Sequence, residues 1–367
     1  MSLLEYPYAE HPVAGTTVEV APGVRWLTMP MPGSLGHINL YLLEDPGGWY
    51  VVDTGWANDE TAAWWEQIFA SELAGKPVIG VICTHMHPDH VGQARLITER
   101  FRCPLLMTQA EYYQARAFTA AGPGPFGSWQ GEEFFFRAGM EIETLATMRK
   151  AWSSRRSGGF QNIVMPPGFR RLLDGTVLTI GDHDWTVVVG SGHSPEHACL
   201  HCQSLGIMIS GDQILPIITS NVGVHPNEPE ANPLRLWLES IDKLMQTPLD
   251  TLVLPAHNLP FYGVRDRLRQ LTDHHEDRLL AIEEHCIEPV IATEILPVLF
   301  KRQLDAQNTM MALGEAIAHL HLLMHRNRIL RTLDDDGRYR FVSIDPSLER
   351  RRHLAAHEEP DDGPLMV

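Results

Sequence analysis

Four potential metal ligands lie within six residues of one another, directly after an apolar segment. Residues 78–83 are short, rich in β-branched side chains and uncharged, so they predict a buried strand. The run that follows is Thr84-His85-Met86-His87-Pro88-Asp89-His90. Strand ends are where α/β sheets commonly place chemistry. A single buried histidine is ordinarily a hydrogen-bonded core residue, but three beside a carboxylate are costly to bury alone. The run therefore predicts a metal site.

Three later loops also carry potential metal ligands. Each places a His or Asp beside small or turn residues directly after an apolar strand, and they contribute His193, Asp212 and His257. Together with the first run they supply five histidines and two aspartates. That number is enough to hold two cations and to leave coordination positions open for water.

Short strands and helices follow one another across residues 17–262. The predicted strands are at 17–20, 24–28, 39–43, 49–53, 78–83, 105–108, 176–178, 185–189, 198–201, 206–210 and 252–254, and the predicted helices are at 58–74 and 91–101. Between residues 112 and 171 the regular pattern is lost and glycine, proline and aromatic residues are dense. We expect this insert to be an ordered cover, such as a lid or a partner contact, or else simple core packing.

The pattern changes to long helices after residue 262. Helices are predicted at 265–287, 293–303 and 309–326, followed by strands at 329–333 and 339–342 that flank an Asp-Asp-Asp-Gly turn. A set of helices followed by a β-hairpin indicates a winged-helix-like domain over residues 263–346. The acidic tail, residues 347–367, is expected to be disordered.

The charge balance limits the classes of partner. The chain has 29 Lys and Arg against 46 Asp and Glu, a formal net charge of −17, which disfavours tight binding to nucleic acid or to an anionic membrane. No apolar run approaches the roughly 20 residues of a membrane span. Five cysteines and the absence of a secretory pattern at the start favour the cytoplasm. Cys199 and Cys202 lie in a predicted strand with their thiols on opposite faces, so we interpret them as packing residues.

These motifs resemble those of the metallo-β-lactamase-fold hydrolases, which include glyoxalase II-like members. The resemblance spans about residues 17–262 and rests on Asp53-Thr54-Gly55, the HxHxDH run, Gly192-His193, Gly211-Asp212 and His257. It implies a four-layer αββα fold of the α/β class. It also implies that His85, His87 and His193 hold one metal ion, that Asp89, His90 and His257 hold a second, and that Asp212 bridges them. Asp53 would be a structural residue behind the site. One departure is Ala256, where the family commonly has glycine.

The C-terminal region resembles, more loosely, the winged-helix appendage of some members of this fold, including a group related to a mitochondrial β-lactamase-like endoribonuclease. Wings that bind nucleic acid usually carry Lys or Arg, whereas the turn here is Asp334-Asp335-Asp336-Gly337 and would repel phosphates. We therefore interpret this domain as a wall of the pocket or as a contact in a homodimer.

The leading hypothesis is a hydrolase with two divalent metal ions, Zn first and Mn or Fe as alternatives, acting on a small or medium acyl substrate. A metal-bound hydroxide would attack a thioester or ester, with a lactone as the next alternative. Asp89 is predicted to steer the proton of the attacking water, and His197 to orient a ligand. The alternatives are a metal-dependent endoribonuclease or other phosphodiesterase, and a winged-helix regulatory or binding protein of another class.

Overall fold

The larger of two central sheets has seven strands, which lie side by side in chain order. They are Val18–Ala21 (β1), Val24–Pro30 (β2), His37–Asp45 (β3), Gly48–Val52 (β4), Val78–Ile82 (β5), Leu105–Thr108 (β6) and Arg170–Leu172 (β7). Strands β1 to β4 pair antiparallel, and β4 to β7 pair parallel. This computed structural model describes residues 4–120, 128–154, 162–301 and 303–344.

The second sheet has five strands in the order β12-β11-β10-β9-β8. They are Val177–Ile180 (β8), His183–Gly190 (β9), His197–Cys202 (β10), Ile207–Gly211 (β11) and Leu252–Pro255 (β12). Strands β8 to β11 are antiparallel, whereas β11 and β12 are parallel and so end at the same edge of the sheet. Every strand predicted from the sequence is present, with bounds shifted by a few residues, and β7 is an addition to that set.

The first unit of the chain is built around two apolar layers. Trp26 and Tyr41 of the first sheet belong to the same buried cluster as Trp185 and Leu200 of the second, so the sheets pack face to face. The other face of the first sheet forms a separate cluster with two helices, Asp59–Ser71 (α1) and Ala94–Phe101 (α3). A short helix, Pro88–Val91 (α2), lies between them in sequence, and Gln109–Thr119 (α4) follows β6.

The chain divides into two compact units that do not follow a single cut in the sequence. The first comprises Met1–Ala121, Ser157–Ile218 and Lys243–Leu268, and the second comprises Gly122–Arg156, Thr219–Asp242 and Arg269–Val367. Part of the predicted insert and a stretch before β12 thus belong to the second unit. The domain boundary between residues 262 and 263 stays a prediction.

Helices occupy much of the insert, where no helix was predicted. They are Trp129–Arg137 (α5) and Ile142–Ser154 (α6), in addition to α4. Helix α5 begins where Ser128 accepts a 3.2 Å hydrogen bond from Gly131 N, and Glu132 and Arg137 match the helix dipole in its first and last turns. The Gly/Pro run at residues 122–127, which suggested a loop, lies outside the described residues. A further helix that was not predicted is Pro233–Leu244 (α7).

The C-terminal elements largely match their predicted positions. They are Val264–His285 (α8), a 3-10 helix at Ala292–Ile295, Leu296–Leu299 (α9), Ala306–His325 (α10), Ile329–Leu333 (β13) and Tyr339–Ser343 (β14). The helix predicted at 293–303 is split, with Pro297 in the first turn of α9. Strands β13 and β14 form the expected antiparallel hairpin, while the winged-helix assignment stays a prediction. The predicted disordered tail lies outside the described residues. No helix in the described ranges has both the length and the apolar character needed to cross a membrane.

Candidate metal centre

The HxHxDH run leaves β5 at the point where β4 ends beside it. Asp53 follows β4, with its backbone in the left-handed region at φ 59°, and its N–H donates to Ile82 O at 2.8 Å. Its carboxylate accepts a 2.8 Å hydrogen bond from Thr84 N and lies 2.8 Å from His90 Nδ1. Asp53 therefore lies behind the ligand run, as the family resemblance implied. Because His90 Nδ1 faces Asp53, the other ring nitrogen, Nε2, points away from Asp53.

Helix α2 brings Asp89 and His90 into the same turn. Pro88 occupies its first position, where a missing N–H costs nothing and the fixed φ favours a helix. The helix ends at Gly92, where a Cβ would lie 2.4 Å from Gly55 O. Only glycine allows this approach, so Gly92 keeps the ligand helix close to the loop that follows Asp53.

The other three predicted ligands lie after strands of the second sheet. His193 lies between β9 and β10, Asp212 directly follows β11, and His257 lies two residues after Pro255, where β12 ends. Gly211 has φ 51°, and a Cβ there would lie 2.5 Å from His197 Nε2. That same nitrogen accepts a 3.0 Å hydrogen bond from Asp212 N. His197 thus contacts the backbone of a predicted ligand, and its orienting role stays a prediction.

All seven predicted ligands converge into two groups. In each group the potential ligand atoms lie within 4.8 Å of one another, the first being His85, His87, His193 and Asp212, and the second Asp89, His90 and His257. Asp212 Oδ2 lies 3.4 Å from His193 Nε2 and 3.5 Å from His90 Nε2. Its Oδ1 lies 3.5 Å from His257 Nε2. The Asp212 carboxylate consequently faces both groups.

The buried polar atoms of the centre fit a bound cation. Among the described residues, His90 Nε2, His257 Nε2 and Asp89 Oδ1 are buried without a hydrogen-bond partner. In the first group His85 Nε2 lies 2.9 Å from His87 Nδ1 and 3.3 Å from His193 Nε2. Imidazole nitrogens that converge in this way need either protons or a cation between them.

The charge states of His85, His87 and Asp212 also suit a cation. Burial lowers the pKa of His85 well below its usual value and that of His87 to about 3, so both rings are neutral and keep a lone pair for a metal. Burial raises the pKa of Asp212, but the neighbouring His90 and His257 outweigh it and hold the pKa well below the usual range. Asp212 is therefore an ionised, acceptor-only group at the middle of the site.

Comparisons with known proteins agree with this geometry. The family model described as metallo-beta-lactamase superfamily matches residues 33–257, and the model described as metallo-beta-lactamase-like, C-terminal domain matches residues 279–344. A crystal structure of a beta-lactamase domain protein from Burkholderia ambifaria is 43% identical with a TM-score of 0.84, and the match covers 93% of this chain and 98% of that one.

Two relatives known from their sequences are more distant. The probable metallo-hydrolase YqjP of Bacillus subtilis is 24% identical over 315 residues, which are 81% of this chain and 91% of the relative. A hydroxyacylglutathione hydrolase of Cereibacter sphaeroides is 28% identical over 120 residues, 32% of this chain and 44% of that protein.

The chain belongs to the metallo-β-lactamase superfamily. It is a metal-dependent hydrolase with the αββα fold class that its sequence predicted. The family and the His/Asp centre together support the binding of divalent metal.

Proposed function

We propose that this protein is a dinuclear hydrolase acting on a small or medium acyl substrate. The substrate is a thioester or ester, with a lactone as the next alternative. The observation that carries the proposal is the position of Asp212, whose two oxygens face the two groups of ligands. His85, His87 and His193 would hold one ion, Asp89, His90 and His257 the other, and Asp212 both. We propose Zn as the metal, with Mn or Fe as alternatives, since His and Asp ligands accept all three.

The residues of the centre can divide the chemistry between them. When bound, two divalent ions supply an activated water and polarise the carbonyl of the substrate. Asp89 Oδ1 is buried and has no hydrogen-bond partner among the described residues, so it can accept a proton there and later return it to the leaving group. His257 Nδ1 donates to His37 O at 3.2 Å, which fixes the ring so that Nε2 faces the centre.

The choice of an acyl substrate has two supports. One relative is named as a hydroxyacylglutathione hydrolase, although the match covers only part of each chain. The net charge of −17 also makes a polyanionic substrate unfavourable. Screening the purified protein in parallel against acyl-CoA thioesters, esters, lactones, β-lactams and RNA tests this choice. Cleavage of RNA with no acyl hydrolysis would reject it.

Metal content tests the dinuclear proposal directly. The full chain purified without chelator should contain close to two equivalents of metal by elemental analysis. Asp212→Ala should weaken both equivalents because it removes the shared ligand, whereas His257→Ala should weaken one. One tight equivalent in the parent after reconstitution, or full metal content in Asp212→Ala, would contradict the proposal.

A further inference from the structure

We infer that two buried side chains outside the ligand set each hold the loops of one metal site. Glu111 positions the ligands of the first site, and Asn39 positions His257 of the second. This inference rests on the proposed function, because it needs the two sites assigned there. Both residues lie in the first unit, and neither is itself a candidate ligand.

Glu111 joins two loops that carry ligands of the first site. It lies on α4, is completely buried, and accepts a backbone hydrogen bond on each carboxylate oxygen. Oε2 accepts from Met86 N at 2.9 Å, between His85 and His87. Oε1 accepts from Glu196 N at 2.7 Å, shortly after His193. A single carboxylate thus fixes the distance between the two loops.

The connection between α4 and the His193 loop is reinforced at the start of the helix. Glu196 Oε2 accepts a 2.9 Å hydrogen bond from Ala110 N, and Thr108 Oγ1 donates to Glu196 O at 2.8 Å. Glu196 therefore caps an open end of α4 while its own backbone is held by Glu111. These hydrogen bonds attach the His193 loop to a helix end rather than leaving it as a free turn.

Asn39 holds the backbone on both sides of His257. It lies on β3 and is 1% exposed. Its Nδ2 donates to Pro255 O at 2.8 Å and to Asn258 O at 2.6 Å, and its backbone N–H donates to Ala256 O at 2.7 Å. One residue thus satisfies three carbonyls that flank the ligand.

The amide of Asn39 is itself oriented, and the loop requires such support. Trp26 Nε1 donates to Asn39 Oδ1 at 2.9 Å, which leaves only the NH₂ end facing the loop. Asn258 adopts the left-handed region at φ 66°, a conformation that persists when its surroundings fix it. Ala256 stands where the family commonly has glycine, so the loop has less backbone freedom of its own.

Two nearly isosteric substitutions separate the two roles. Glu111→Gln places an NH₂ group against one of the two backbone N–H donors, so one loop is released. Asn39→Asp places a carboxylate oxygen against the carbonyls of Pro255 and Asn258 while the bond from Trp26 is kept. Tyr41→Phe is the matched control, because it removes the 2.8 Å bond from Tyr41 OH to Pro255 O but leaves the bond from Asn39.

The experiment is a Co²⁺ titration of the metal-free full chain, followed by visible absorption and elemental analysis. His87→Ala and His257→Ala provide reference spectra for chains with a damaged first or second site. Asn39→Asp should keep one equivalent and bind the other about 10- to 100-fold more weakly, with the spectrum of His257→Ala. Glu111→Gln should bind the metal ion of the first site more weakly and keep that of the second, with the spectrum of His87→Ala. Tyr41→Phe should bind both as the parent does.

The outcomes distinguish this inference from the proposed function. If the parent binds only one equivalent of metal, both the proposed dinuclear centre and this inference are wrong. A parent with two equivalents whose variants lose both metals equally, or neither, overturns only the assignment of Glu111 and Asn39. If either substitution prevents folding, Glu196→Ala and Trp26→Phe act one contact further out. They should give smaller losses confined to the first and the second equivalent respectively, and losses shared by both would again overturn the inference.

Discussion

The predicted ligands of the first run lie close together in sequence, whereas the residues that position the ligand loops bond to distant parts of the chain. The run from His85 to His90 could be identified as a metal site because its members are nearly contiguous. Glu111 bonds to a backbone 85 residues away, and Asn39 to one 216 residues away. A lone Glu in a helix or Asn in a strand has many neutral interpretations, so local sequence gave no sign of either role. Only the tertiary packing of helix α4 and of the sheets brings these groups to the site.

Glu111 should make stability depend on pH. Burial raises its pKa to about 7, against hydrogen bonds that work in the opposite direction, whereas its ordinary value is 4.5. The folded state therefore keeps a proton that the unfolded chain has lost. The stability contributed by this group is fully present below about pH 4.5 and disappears as the pH rises to about 7, a change of up to ~3 kcal/mol in the free energy of unfolding.

Urea unfolding of the metal-free parent and of Glu111→Gln between pH 4.5 and 8 measures this change. The difference in unfolding free energy, parent minus variant, should shrink as the pH rises, because Gln does not titrate. Using the difference removes the contributions of the other carboxylates and histidines common to both proteins. A difference that stays constant across this range would mean that Glu111 titrates near its ordinary value.

Strands were easier to predict than the helices of the insert. Strands such as β5 and β11 are short, apolar and followed by turn residues, so the pattern alone identified them and the candidate ligands at their ends. Helix α5 was missed because its Gly/Pro-rich approach and dense aromatics suggested a loop. The capping signal of Ser128, with Glu132 in the first turn and Arg137 in the last, was present in the sequence.

We predict that the aromatic residues of α5 influence the substrate range of the acyl hydrolase proposed above. Trp129 and Phe134 line a cavity of about 400 Å³ in the second unit, together with Tyr339 and Ile317. We predict that Trp129→Ala combined with Phe134→Ala changes the ratio of kcat/KM for long against short acyl chains by about tenfold, with metal content unchanged. Tyr113→Ala is the matched control, since Tyr113 is an exposed aromatic of the same insert that does not line the cavity. An equal ratio in the parent and both variants would assign these aromatics to packing alone.

At the scale of the whole molecule, family and fold class could be predicted but the division into units could not. The motifs identify the family because they lie at strand ends in a fixed order. The second unit combines segments that the catalytic strands separate in sequence, and such grouping depends on contacts between distant residues. Local periodicity contains no information about those contacts.

The arginines near the C-terminal hairpin should not bind nucleic acid. Each is already paired with a glutamate, Arg326 with Glu276, Arg328 with Glu283 and Arg331 with Glu230, at closest distances of 2.7 to 2.9 Å. Each phosphate contact contributes about one unit to the salt dependence of binding. We therefore predict weak RNA binding by the parent, unchanged when all three arginines become Ala.

A second triple variant of equal charge makes this test specific. Arg95, Arg100 and Arg235 are exposed and also paired with glutamates, in the last case at 2.9 Å. Changing them to Ala gives the same loss of charge elsewhere on the chain, so any general electrostatic effect appears in both variants. Micromolar binding by the parent at physiological salt, lost only in the C-terminal variant and accompanied by metal-dependent RNA cleavage, would replace the acyl hydrolase with a nuclease. Equal and weak binding by all three proteins is expected, because the C-terminal arginines already neutralise acidic side chains of the chain itself.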